Sequence, residues 1–302
     1  MGKRQQKQQL CMDQVCREYL IYFRKTRQSG PTQIGAITRV AKALGSYLKQ
    51  SRIQLTDMNI EHVDDFLAMF NASYAKTTQR LYRSYLRCFL RYLYNEQNLL
   101  KQNLAELLIG PPMFAKAKPP QFLRPNEVRQ LFERLPHSTA CKLRTYAQVH
   151  LAYFMGLRPI EISRITLDDI SFIKGLLILK NRKNNSPLEL PIPEDTLKAI
   201  TAYIIGGRPK SSYRSLFLIL WPNPTPMSAG LVGQYLTKAL RDAGLPGTAY
   251  WLRHTFAQNM LESGAKIFEI KEMLGHDSIE STRQYLSIHT TLMRRVLFDE
   301  TV

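Results

Sequence analysis

The chain is short of acidic residues, of cysteine and of long apolar runs, and each shortage closes off a class of protein. Against 42 lysines and arginines stand 24 aspartates and glutamates, a formal charge of +18 over 302 residues. The excess is spread along the chain, which argues for a polyanionic partner. A basic balance that merely keeps the protein in solution is the plainer alternative. The four cysteines, Cys11, Cys16, Cys88 and Cys141, form neither a CxxC pair nor a Cys/His ligand array. Structural zinc and a disulfide framework are therefore not expected, and a reducing cytosol fits best. No apolar run approaches the roughly 20 residues that span a bilayer, so no membrane association is expected. Residues Met1 to Gln9 are basic and glutamine-rich and lead into Cys11-Met12-Asp13-Gln14 rather than an apolar core, so no signal peptide is expected. A P-loop pattern and an acidic metal cluster are missing too, which points to chemistry with no metal and no cofactor.

What is present suits two globular domains, since 302 residues with 44% hydrophobic content can bury two cores. Apolar periodicity predicts helices at about Met12 to Lys25, Thr32 to Lys49, Ile60 to Phe70, Thr77 to Asn95 and Gln102 to Leu108, with Asn59 placed to cap the third. The stretch from Gly110-Pro111-Pro112 to Lys118-Pro119-Pro120 has the composition of an exposed linker. The expected division is a helical domain over residues 1–112, a linker over 113–122 and a second domain over 123–302. That second domain opens on Arg124-Pro125-Asn126-Glu127, a helix start, and reads as helical through Phe154. Leu176 to Leu179 and Leu188 to Ile192 flank a polar stretch and predict a β-hairpin, with a further strand at Leu216 to Leu220. Helix returns from Ser228, with Gly244, Gly264 and Gly275 as stops. The fold class is thus mainly α with a small antiparallel β-sheet.

The helix from Thr77 carries Lys76, Arg80, Arg83, Arg87 and Arg91 at spacings of three and four, on one face. Leu81, Tyr85, Phe89, Tyr92 and Leu93 are assigned to the opposite, apolar side. With few acidic partners nearby, the basic face suits insertion along a DNA groove, the alternative being a face that simply meets solvent.

Further on, four pieces carry chemistry: Gly156-Leu157-Arg158-Pro159-Ile160-Glu161, Arg253-His254-Thr255, Leu274-Gly275-His276, and a tyrosine, Tyr285, nine residues beyond that histidine. Cleavage of a phosphodiester by a protein hydroxyl requires neutralisation of the non-bridging oxygens as the transition state forms. Arginine suits this, being always ionised and presenting paired donors that match phosphate. Glu161 follows Arg158 by one helical turn, where a carboxylate can hold a guanidinium.

Together these motifs resemble the tyrosine recombinase/integrase family, in particular its simple two-domain, Xer-like members, most strongly over residues 120 to 290. The resemblance implies a helical, SAM-like core-binding domain followed by an α+β catalytic domain. It also implies a site-specific DNA recombinase in which Tyr285 is the nucleophile, Arg158 and Arg253 clamp the phosphate and His276 assists. A hairpin lysine protonates the leaving 5′ oxygen in this family; Lys180 directly follows the first strand and is the first choice, and Lys183 is the alternative. Where the family has a histidine three residues before its second arginine, this chain has Tyr250. A phenol can donate a hydrogen bond to phosphate, or Tyr250 can simply pack beside Trp251. His254 matches a position expected to be structural.

The reaction implied is transesterification through a 3′-phosphotyrosyl bond, conserving bond energy and requiring no cofactor. The implied partners are a double-stranded DNA recombination site and a homo-tetramer that exchanges strands through a Holliday junction. The segment Thr290 to Val302, with Leu292, Val296, Leu297 and Phe298, would then dock onto a neighbouring subunit, packing in cis being the alternative. Two other readings remain open: a strand-swivelling, type IB topoisomerase-like enzyme, and a DNA-binding protein of the same fold that has lost catalysis.

Overall fold

The computed structural model describes residues 12–26, 31–110, 120–179 and 188–275. Lys180, Lys183, His276, Tyr285, the C-terminal segment from Thr290 and most of the expected linker lie outside the described residues. The chain divides into two compact units, Met1–Ala115 and Lys116–Val302. No described helix is long and apolar enough to cross a membrane.

The first unit contains helices α1 (Met12–Thr26), α2 (Pro31–Gln50), α3 (Ile60–Asn71), α4 (Lys76–Asn95) and the single turn α5 (Leu104–Leu107). Asn59 caps α3 as expected: its Oδ1 accepts from the His62 N–H at 3.0 Å, and its own N–H donates to His62 Nδ1 at 3.3 Å. The core is aromatic, with the Tyr19 ring 4.8 Å from Phe89 and 5.1 Å from Tyr92.

Helix α4 departs from its expected two-faced pattern in two respects. Its buried row is Tyr82, Leu86, Phe89 and Leu93, at steps of four, three and four. Leu81 lies about 100° around the helix from Tyr82 and is 46% exposed, so it does not belong to the apolar back. The basic front is also not uniform. Lys76, Arg80 and Arg91 are exposed, whereas Arg83 and Arg87 are half-buried. The Arg87 guanidinium donates to the Leu108 carbonyl, and Arg83 lies against Gly110, where an added Cβ would meet its Nη1 at 3.3 Å. Arg87 thus ties α4 to the segment that follows α5.

The second unit contains α6 (Pro125–Arg134), α7 (Ala140–Phe154), α8 (Pro159–Arg164), β1 (Ile170–Ser171), β2 (Leu176–Leu179), β3 (Leu188–Pro191), α9 (Glu194–Gly206), α10 (Ala229–Asp242), α11 (Ala249–Glu262) and α12 (Ile267–Leu274). The sheet order is β1-β2-β3, all antiparallel, and Ile170, Leu177 and Leu190 lie in one cross-strand row. All three are buried, so the hairpin's inward face joins the core. The expected helix from Arg124 to Phe154 is in fact two, broken at Pro136, with Thr139 capping α7. The expected strand at Leu216–Leu220 is not one. It makes only isolated bridge pairs, Ser215 with Thr166 and Leu218 with Pro226, because Pro222, Pro224 and Pro226 remove the donors a ladder needs. Helix α9 was not anticipated, although Pro193, Glu194 and Asp195 form a helix start ahead of the buried Thr196, Ala199, Ile200 and Tyr203. Gly244, Gly264 and Gly275 all stand at positive φ beyond their helices, as the sequence suggests.

Helix α7 is the centre of this unit, with Ala147, Val149, Leu151 and Ala152 fully buried. Arg144 within it is 2% exposed and donates to the Leu218 carbonyl at 2.7 Å and to Cys141 Sγ at 3.3 Å. Its guanidinium also lies 4.5 Å from the centre of the Tyr235 ring, which ties α7 to the loop between α9 and α10 and to α10 itself. His150 is 3% exposed, ringed by Phe132, Tyr146 and Phe154, and neither ring nitrogen has a hydrogen-bond partner. Burial pushes its pKa down to about 4, against a small opposing pull from Asp195.

A folded-state pKa below the unfolded value means that the unfolded chain takes up the proton first. The contribution of His150 to stability should be intact above about pH 6.5 and fall by about 1.4 kcal/mol per pH unit toward pH 4. In denaturant titrations at pH 7, 6 and 5, His150→Phe should lower that slope by the same amount; an unchanged slope would show that His150 does not control acid sensitivity.

Candidate active site

Gly156 ends α7 at φ +62, and a Cβ there would lie 2.4 Å from Phe256 Cδ1. Only glycine satisfies both the backbone and the packing at this position. Two residues on, Arg158 precedes Pro159, which holds it extended and makes it the N-cap of α8. The Glu161 carboxylate turns back to accept from the Arg158 N–H at 2.7 Å. Its other oxygen accepts from Arg158 Nη1 at 3.2 Å.

The second arginine arrives from α11, a helix buried on most of its circumference. Arg253 is 3% exposed. Its Nη1 donates to the Gly156 carbonyl at 2.5 Å and stands 3.5 Å from Glu161 Oε2. Its Nη2 donates to the Leu274 carbonyl at 2.5 Å. Arg158 converges on the same point, with Nη1 3.1 Å from the Leu274 carbonyl and Nη2 3.4 Å from that of Gly275. Gly275, at φ 58, terminates α12 in the left-handed conformation, and the last carbonyls of that helix face the guanidiniums. A helix C-terminus carries partial negative charge, and a cation there is favoured.

Three sequence-predicted residues, Arg158, Glu161 and Arg253, are thus brought together at the end of α12, immediately before His276 in the chain. Glu161 touches both arginines, a role the sequence reading confined to Arg158. The contribution of the Leu274 and Gly275 carbonyls was not foreseen, since backbone acceptors leave no residue signature. Tyr250 lies one turn before Arg253 and is 52% exposed, whereas its neighbour Trp251 packs against the core. Adjacent helix positions point about 100° apart, and here one points to solvent and the other inward. His254 is partly buried, and burial together with the Arg253 charge pushes its pKa down to about 4. It is neutral near pH 7. Among the described residues no three His, Cys, Asp or Glu side chains gather to hold a metal ion.

Two arginines whose donors meet at one backbone carbonyl bring two positive charges together, the kind of charge that phosphate recognition uses. The chain has relatives among known proteins. The model of the phage integrase family matches residues 121–291. Tyrosine recombinase XerD of Staphylococcus saprophyticus is 28% identical over 295 residues, 94% of this chain and 97% of that protein. Tyrosine recombinase XerA of Pyrococcus furiosus is 35% identical over 170 residues, covering 56% of this chain and 58% of its own length. Among solved structures, XerH site-specific recombinase bound to a palindromic difH substrate in a post-cleavage complex superposes with a TM-score of 0.72 at 16% identity. That match covers 96% of this chain and 85% of that one, and it speaks for the fold.

Glu161→Ala should leave two guanidiniums sharing one site without their common carboxylate. Breaking a largely buried ion pair by removing one partner costs about 3 kcal/mol or more, measurable as a lower denaturation midpoint at unchanged m-value. A variant as stable as the parent would mean that the carbonyls alone hold the arginines.

Proposed function

Because this chain belongs to the phage integrase family, we propose that it is a site-specific DNA recombinase that cuts and rejoins duplex DNA by tyrosine transesterification. The observation that carries this reading is the convergence of Arg158 and Arg253 on Glu161 and the Leu274 carbonyl. The two guanidiniums grip the non-bridging oxygens of the scissile phosphate. The Tyr285 hydroxyl attacks phosphorus, a 3′-phosphotyrosyl bond forms and the bond to the 5′ oxygen breaks. Lys180, with Lys183 as the alternative, supplies the proton that leaves with that oxygen. His276 assists at the phosphate. Reversal by a 5′ hydroxyl of another strand completes the exchange, so the number of phosphodiester bonds is unchanged. Two DNA sites exchange strands in this way within a tetramer, through a Holliday junction, and the C-terminal segment joins neighbouring subunits. The same chemistry serves integration and excision, transposition or the resolution of DNA dimers.

The first unit is the core-binding domain in this reading. Its exposed Lys76, Arg80 and Arg91 contact the DNA backbone, while Arg83 and Arg87 contribute from half-buried positions.

The test of the reaction is covalent capture. On a nicked duplex of a site enriched from a random-sequence pool, the unaltered chain should form a denaturation-resistant protein–DNA adduct. Tyr285→Phe should abolish it while keeping DNA affinity. An adduct that persists would move the nucleophile elsewhere, and binding without adduct in the unaltered chain would favour the reading of lost catalysis that Tyr250, in place of the family histidine, motivates.

The solvent-facing phenol of Tyr250 supports a role as hydrogen-bond donor to the phosphate. Tyr250→Phe should then cost about 1.5–3 kcal/mol of transition-state stabilisation, as for a hydrogen bond to a charged group. It would appear as slower adduct formation with unchanged binding. Cleavage at the parent rate would make Tyr250 a surface residue with no part in the reaction.

A further inference from the structure

Helix α11 is held from two sides. Arg253 reaches toward Gly156, Glu161 and Leu274, and Thr255, two residues on, lies about 200° around the helix, on the far side. There its Oγ1 accepts from the Leu123 N–H at 2.9 Å and donates to the Trp251 carbonyl at 2.7 Å. Both ends of the first bond are buried, with Leu123 2% and Thr255 1% exposed. Leu123 is the first residue beyond the expected linker, and Pro120 just before it is buried as well. The Leu123 N–H belongs to neither a helix nor a strand, so its acceptor has to come from a side chain. A valine would fill nearly the same space as Thr255 but would leave that buried donor unpaired. The bond is not needed to fix α6, which has supports of its own. The Arg124 N–H donates to Glu127 Oε2 at 2.7 Å, and Gln130 Nε2 and Arg134 Nη1 donate to the Ala243 carbonyl at 2.7 and 3.3 Å.

We propose that Thr255 is a positioning residue that couples the end of the linker to Arg253, by fixing α11 from behind against the chain as it enters the second unit. The inference rests on the recombinase reading and adds to it how the placement of an arginine answers to the linker. Arg253 is anchored to backbone carbonyls that do not move with its own helix, so a shift or rotation of α11 changes how its guanidinium is presented. Displacement of about 1 Å in such a group can cost on the order of a hundredfold in rate. Leu123 passes a pull on the linker straight to α11, because the hydrogen bond lies at the first residue after it and two positions from Arg253 in the helix. Thr255 itself touches no substrate in this arrangement; it acts through Arg253.

The experiment reads the rate of covalent adduct formation at saturating protein on the nicked duplex, with DNA affinity and melting temperature measured alongside. Thr255→Val should slow adduct formation roughly ten- to hundredfold and leave affinity within about twofold of the parent's. Thr255→Ser keeps the hydroxyl and should restore the rate. Thr255→Cys, close in size and a poor acceptor, should slow the reaction as valine does, and it carries the comparison if the valine variant does not fold. A second arm lengthens the linker by Gly-Ser between Ala115 and Lys116. Its effect on the rate should be smaller in the valine or cysteine background than in the unaltered chain, because the coupling has already been cut. Parent rates in the valine and cysteine variants would overturn the inference. So would equal slowing by serine and valine, which marks a packing role, or a linker effect of the same size in every background. If the unaltered chain forms no adduct, it is the recombinase reading that fails.

Discussion

Two guanidiniums brought together, one of them buried and the other partly so, repel each other, and the second unit is organised around that constraint. Glu161 lies between Arg158 and Arg253, and the carbonyls of Leu274 and Gly275 receive donors from one or both. A single carboxylate cannot neutralise two cations. The partial charge of the α12 C-terminus supplies more, so one carboxylate and one helix end act together on the two guanidiniums.

The same constraint explains why three segments distant in the chain must meet. Gly156 allows α7 to reverse close to Phe256, which brings the start of α8 to α11 and offers its own carbonyl to Arg253. Gly275 allows α12 to stop where its carbonyls face inward. Neither glycine does chemistry. Gly156 leaves room for the Phe256 ring, and Gly275 takes the left-handed conformation that ends α12.

In the first unit, charge and packing divide the arginines of α4 between them. Arg87 is bonded to the Leu108 carbonyl and Arg83 lies beside Gly110, and a guanidinium placed in this way retains its charge while losing some of its freedom of movement. Lys76, Arg80 and Arg91 keep that freedom. All five add to the positive potential of α4, since the field of a charge persists when its donors are engaged.

Residue type and spacing alone determined the helical character of both units, the hairpin pairing of Leu176–Leu179 with the strand from Leu188, the cap at Asn59, the stops at Gly244, Gly264 and Gly275, and the family to which the chain belongs. These are local signals: apolar period, capping chemistry, positive φ and motif order act within a few residues of one another. What only the tertiary structure decided involves partners far apart in the chain. It took Leu81 out of the core, because the buried row of α4 is chosen by the helices packed against it. It gave Arg87 a backbone partner, the Leu108 carbonyl, that composition cannot reveal. It made Glu161 common to both arginines and placed the Leu274 carbonyl between them. A sequence names side chains, whereas these contacts depend on backbone carbonyls and on the distances between segments, and neither has a letter in the chain.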